Sequence, residues 1–194
     1  ETGGQGTYDM QSGIIPVTRK GKPISTAIGY AQLLGANTVG ELGTYGSRFV
    51  ERLLAMAAAD GVAPERAQAL KAKAAILQRM VKDARGAGGE WSRHVAYART
   101  ERGKGMHAVN LDGDIGPWLQ VNKLLGLKTS AAKYGFADLT GGQLELMNLA
   151  GPGSGLEMMS PVAQSMPTSN FFERGGYYRN PVVQKRTAAE LQEK

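Results

Sequence analysis

The chain has 194 residues, no cysteine and a formal charge of +6 at neutral pH. That length supports one domain with a real core, or one domain with an arm, and the absence of thiols excludes disulfides and thiolate metal sites. Lys and Arg are scattered, without a basic block or interleaved aromatics, which argues against nucleic acid as a partner; no apolar run reaches membrane-spanning length.

Residues 1–24 are Gly-rich and polar, broken by Pro16 and Pro23, and read as a loop with a short hairpin around Ile14 to Val17. Tyr8 and Asp9 lie in this loop as candidate border residues of a cleft. Residues 26–41 read as a helix. Residues 46–59 read as a second one, with Phe49, Val50, Leu53, Leu54 and Ala57 on one face. Gly61 stops it, and Pro64 suits the first turn of the next. Ala67, Leu70, Ala74, Leu77 and Val81 recur at three and four through about residue 85, and the Lys and Arg between them form a solvated face.

Glu90 to Arg102 reads as one helix with Trp91, Val95 and Ala98 inward. His94 and His107 have no partner spacing that suggests a metal. Asn110 to Gly116, NLDGDIG, has oxygen groups at alternate positions, but its Gly is late for a calcium loop and Val121 stands where a bidentate Glu is needed. It reads as a turn capping a helix from Pro117 to Gly126 that buries Trp118, Val121, Leu124 and Leu125. Thr129 to Tyr134 reads as a short helix. Thr140 to Gln143 has the capping-box form and opens a helix to Leu149. Residues 156–186 alternate helix breakers with Met, Phe and Tyr and read as an ordered arm anchored by Phe171 and Phe172. Thr187 to Glu190 is a second capping box that starts a last helix. The expected organisation is a helical domain over 1–155 and an arm with a final helix over 156–194.

Three stretches share one likeness. Glu1-Thr2-Gly3 sets a carboxylate beside a hydroxyl residue. Thr26-Ala27-Ile28-Gly29-Tyr30-Ala31-Gln32-Leu33 places Gly three residues before Gln. Asn148-Leu149-Ala150-Gly151-Pro152-Gly153 runs an Asn-bearing helix end into Ala-Gly-Pro. In this order they resemble the soluble lytic transglycosylase and goose-type lysozyme family. Several positions depart from its pattern. Thr26 replaces a usual Gly, Tyr30-Ala31 replaces Leu-Met, Asn148 comes one place early, and the usual Tyr beside it is missing.

The resemblance implies a mainly α, lysozyme-like helical domain with long loops, acting on peptidoglycan glycan strands in the periplasm or outside the cell, with no cofactor and no metal. It implies a single acid/base, Glu1, which closes a 1,6-anhydro ring at the cleaved end. A hydrolysing muramidase is the near alternative, and a non-catalytic wall-binding protein with the same fold is another. Ser25, Gly29, Tyr30, Gln32 and Asn148 would bind the glycan. Tyr177 or Tyr178 would close the cleft and hold the acid. The family acid ends a helix, so the resemblance also implies a helix upstream of Glu1. A vector-derived Glu-Thr-Gly is the competing reading of that terminus.

Overall fold

The computed structural model describes residues 27–29 and 33–193. The protein is mainly α-helical. Its described helices are α1 (Gly35–Ala57), α2 (Pro64–Gly86), α3 (Trp91–Ala98), α4 (Glu101–His107), α5 (Gly116–Ala132), α6 (Gly141–Ala150), α7 (Pro152–Met158), α8 (Arg174–Arg179) and α9 (Ala188–Gln192). Short 3-10 turns span Ala108–Leu111, Thr168–Asn170 and Pro181–Val183. The chain divides into two compact units, Glu1–Val121 and Asn122–Lys194, and the division falls within α5. Residue 155, where the sequence suggested a boundary, lies inside α7, and residues 156–194 share a unit with 122–155.

The first unit is built on the pairing of α1 with α2. The sequence suggested two helices over 26–41 and 46–59, but a single helix runs from Gly35 to Ala57. Residues 27–29, 33 and 34 of the first expected helix are not helical. Ile28 and Leu33 instead form an antiparallel bridge, with Ile28 N donating to the Leu33 carbonyl at 3.3 Å. Gly29 has φ +73°, which a right-handed helix excludes, and Leu34 is extended as the N-cap.

Along α1 the buried positions 39, 42, 46, 49, 50 and 53 recur at three and four, so one stripe faces the core. Leu54, expected inward, falls off this stripe and is exposed. On α2, Leu70, Ala74, Leu77, Val81 and Ala84 form the facing stripe. Val81 packs where α1 offers Gly46, whose bare Cα admits the contact. Pro64 sits in the first turn of α2 as its missing N–H allows.

The single helix expected over 90–102 is two. Thr100 caps α4, its hydroxyl accepting from Gly103 N at 3.0 Å. Gly103 abuts the Tyr97 carbonyl so closely that a Cβ would stand 2.1 Å from it. Trp91 is 56% exposed rather than inward, because α3 begins there and its packed residues are Tyr97 and Ala98. Leu33, Val39, Leu42, Phe49, Leu53, Leu70, Leu77, Val81, Met106, Val109, Ile115 and Leu119 belong to one core. Trp118 packs on its edge, with the Arg52 guanidinium 3.4 Å over the indole, a cation–π contact.

In the second unit α5 continues to Ala132, absorbing the separate helix expected near Thr129. Leu127 and Ala131 are buried there; Leu125 is 57% exposed and Val121, back in the first unit, is also exposed, opposite to expectation. The registers differ because α5 buries Leu119, Leu127 and Ala131, a stripe offset from Val121 and Leu125. Both capping boxes form as read, at Thr140 with Gln143 and at Thr187 with Glu190. Leu146, Met158, Ala163, Phe171, Val183, Ala188 and Leu191 make this unit's main cluster, with Phe172 packed against it. The segment after α7 is therefore ordered and apolar-anchored. It is closed by the buried Thr168, whose hydroxyl donates to the Val183 carbonyl with the Arg186 carbonyl 3.0 Å away. Thr168 N also donates to Arg186 O, and Ala188 N to Met166 O, each at 2.9 Å.

Candidate functional site

Within the first unit, the Gly29 turn is seated on the 3-10 turn Ala108–Leu111. A Cβ on Gly29 would stand 2.0 Å from the Asn110 carbonyl oxygen and 2.7 Å from Asn110 Cβ. Only a residue without a side chain allows that approach.

Beneath the turn lies a polar cluster. Asn110 is 0% exposed. Its Nδ2 donates to the His107 carbonyl at 2.8 Å and to Thr38 Oγ1 at 2.9 Å. Those two bonds use both amide protons. Thr38 Oγ1 is 2.8 Å from His107 Nδ1. The Thr38 hydroxyl also stands 3.4 Å from the Leu34 carbonyl, so its proton goes to Leu34 O or to Nδ1 according to the imidazole tautomer. Asn110 Nδ2 stands 3.2 Å from the same Nδ1. Asn110 Oδ1 is buried and has no hydrogen-bond partner.

The cluster is tied to α2 by charge. Asp112 is 2% exposed. One of its oxygens accepts from Asp114 N at 2.9 Å and Ile115 N at 3.1 Å, the turn chemistry read from the sequence. The other meets Lys73 Nζ at 2.5 Å. Lys73 also contacts Asp114 at 2.5 Å, and Arg66 pairs with the same carboxylate. Burial pushes the Lys73 ammonium down, but hydrogen bonds to Asp112 and Asp114 and their charges outweigh it, and the group ends above its usual range. Burial likewise pushes Asp114 up, and bonds from Lys73 and Arg66 with their charges bring it below the usual carboxylate range. His94, the other histidine, bonds through Nε2 to Gly88 O at 2.6 Å. Among the described residues no group of three His, Asp or Glu is placed to hold a metal.

Glu1, Ser25, Tyr30 and Gln32 lie outside the described residues. Asn148, Tyr177 and Tyr178 belong to the second unit. Asn148 is half-buried on α6, its Nδ2 donating to Glu145 at 3.1 Å, with Oδ1 shielded and unpartnered. The Tyr177 hydroxyl accepts from Lys185 N at 3.0 Å and so closes a backbone turn. The Tyr178 ring meets the Tyr177 ring edge-on, centroids 5.3 Å apart, and is 67% exposed.

The asparagine that stands against the Gly29 turn is Asn110, which the sequence comparison passed over. Its flanks, Val109 and Leu111, do not match the expected string. The signal available was an Asn at a helix end running directly into the Asp112-Gly113 turn, with a histidine three residues before it. No helix among the described residues is long and apolar enough to cross a membrane. Comparison with known protein families, with curated proteins and with solved structures gives no match.

Proposed function

We propose that the chain is a peptidoglycan-cleaving lytic transglycosylase with Glu1 as its single acid/base, working in the cell envelope outside the cytoplasm. The observation that supports this reading is the seating of the Gly29 turn on Asn110. A cleft that binds a polysaccharide needs a wall where main chain comes close to the sugar and does not move. Gly29, lacking a side chain, lets the turn rest directly on Asn110, and the cluster of buried Asn110 and Thr38 with half-buried His107 stiffens it from behind. In this reading Asn110 supports the wall from within, whereas Asn148, to which the sequence assigned glycan binding, belongs to the second unit.

The chemistry then needs one carboxyl group. Most glycosidases use two. Here Glu1, protonated, gives its proton to the oxygen leaving C1 of N-acetylmuramic acid as the C1–O4 bond breaks. The resulting carboxylate removes the proton from the same sugar's O6 hydroxyl, and O6 bonds to C1. The proton count closes, water is not consumed, and the product carries a 1,6-anhydro end. The acid must be protonated beforehand, so its surroundings must raise its pKa by partial burial against apolar groups.

Digestion of purified sacculi followed by mass spectrometry tests the reading. Anhydro ends are the expected product. Reducing ends would make the protein a hydrolysing muramidase. Glu1→Gln should lower turnover by roughly 10²–10⁴-fold, the usual worth of a positioned proton donor. Wall binding without turnover in either form would leave a binding protein and end the enzymatic reading.

A further inference from the structure

In the second unit, α8 and the 3-10 turn Pro181–Val183 put apolar residues on the surface. Tyr178 is 67% exposed and Val182 47%, and Pro181 between them is exposed too. Their neighbours anchor the segment: Val183 is buried in the unit's main cluster and Tyr177 packs against it. Gln184 Nε2 donates to the Tyr177 carbonyl at 3.0 Å and to the Tyr178 carbonyl at 3.1 Å. Asn180 Oδ1 accepts from Val182 N at 3.2 Å. Lys185 has φ +56°, the only positive value at a non-glycine among the described residues, and its N–H donates to the Tyr177 hydroxyl at 3.0 Å. A left-handed lysine is costly, so these bonds fix a turn that the backbone alone would not adopt.

The same turn is basic. From Phe171 to Thr187 the sequence has four cations, Arg174, Arg179, Lys185 and Arg186, and one carboxylate, Glu173. Arg174 precedes Tyr178 by four on α8, so the two share a face. Lys185 is bonded to Tyr177, whose ring meets the Tyr178 ring edge-on. Arg186 Nε donates to the Val182 carbonyl at 2.9 Å. Glu173 and Glu190 are engaged at helix caps, accepting from Gly175 N and Thr187 N.

We propose that this turn is a peripheral membrane contact: Tyr178, Pro181 and Val182 enter the headgroup region of an anionic bilayer, and Arg174, Lys185 and Arg186 meet its phosphates. A protein partner of standard size would need about 800 Å² from this side, more than three side chains supply. A bilayer asks for no matching surface. It accepts a few apolar side chains, with tyrosine at headgroup level, and cations beside them are drawn to anionic lipid. Among the described residues no helix is long and apolar enough to cross a membrane, so the contact is made at the surface.

Co-sedimentation of the full chain with vesicles tests this, comparing pure phosphatidylcholine with an equimolar mixture of phosphatidylcholine and phosphatidylglycerol. The anionic vesicles should bind roughly 10- to 100-fold tighter, since each of three cations near such a surface is worth about fivefold, and added salt should weaken the binding. Val182→Asp and Tyr178→Ser alter exposed side chains and should each weaken it roughly tenfold at an unchanged melting temperature. Lys185→Gly removes a charge where glycine is unstrained and should weaken it roughly fivefold. No binding to anionic vesicles, equal binding to both kinds, or indifference to Lys185→Gly overturns the proposal. So does binding that survives Val182→Asp and Tyr178→Ser, which would be mere attraction of a chain of charge +6 to any polyanion. The proposal does not rest on wall cleavage, and the vesicles carry no glycan. Sacculus digestion without vesicle binding ends the membrane contact and keeps the enzyme; vesicle binding without digestion does the reverse.

Discussion

At Gly29 the backbone sits at φ +73°, and an added methyl would stand 2.0 Å from the Asn110 carbonyl oxygen. Gly29→Ala therefore combines a left-handed conformation with a collision against main chain. It should cost about 2 kcal/mol or more and, if the turn lines a glycan cleft, abolish most wall cleavage; chemical denaturation and sacculus digestion read the two effects separately. Lys73 is a different kind of residue, one that neutralises two carboxylates. Lys73→Met leaves Asp112, 2% exposed, with a buried charge that only two backbone amides address. The expected loss is about 3 kcal/mol at neutral pH. Asp114 is lowered from 3.8 in the folded protein, so its stabilisation is complete above that value and is lost as pH falls through the lower folded value. Lys73 is raised from 10.5, so its stabilisation holds below that pH and disappears as pH rises through its folded value. Denaturation of the Lys73→Met variant should lose the alkaline dependence and only part of the acid one, since Arg66 still pairs with Asp114, with acid below pH 3.8 narrowing the gap to the unaltered chain.

The element-level reading of the sequence succeeded where a signal was local. The capping boxes at Thr140 and Thr187, Pro64 at the start of α2 and the period of α2 were all legible, because each rests on contacts within one turn or one face. Errors came where tertiary contacts decide. The sequence read two helices, 26–41 and 46–59, yet α1 runs through the gap between them, and Gly40, Gly43 and Gly46 let it lie close against its neighbours. Thr100 and Gly103 divide α3 from α4 through a close approach to the Tyr97 carbonyl, which no residue spacing announces. The α1–α2 contact gives a direct check. Gly46→Ala brings a methyl 2.3 Å from Val81 Cγ2 and should cost about 1–3 kcal/mol as overpacking. Combining it with Val81→Ala should recover part of that loss, and a double-mutant cycle in denaturant measures the coupling.

For the molecule as a whole, helical character was readable from period alone, and the division into units was not. The division falls within α5 between Val121 and Asn122, and the residues around it, Gln120 to Leu124, include no Pro or Gly to mark it. The candidate site was half legible. Gly29 stood out because a motif requires it, whereas Asn110 and Thr38 are 72 residues apart in the chain and meet only in the fold. Thr168 shows what the second unit's architecture implies for biosynthesis. Its bonds reach Val183 and Arg186, and Ala188 and Leu191 are part of the same cluster. A nascent chain paused on the ribosome with Leu119 exposed already holds every described member of the first core. The second cannot close until Leu191 emerges, so during translation its apolar face stays open longest, and chaperone capture of stalled chains should concentrate there.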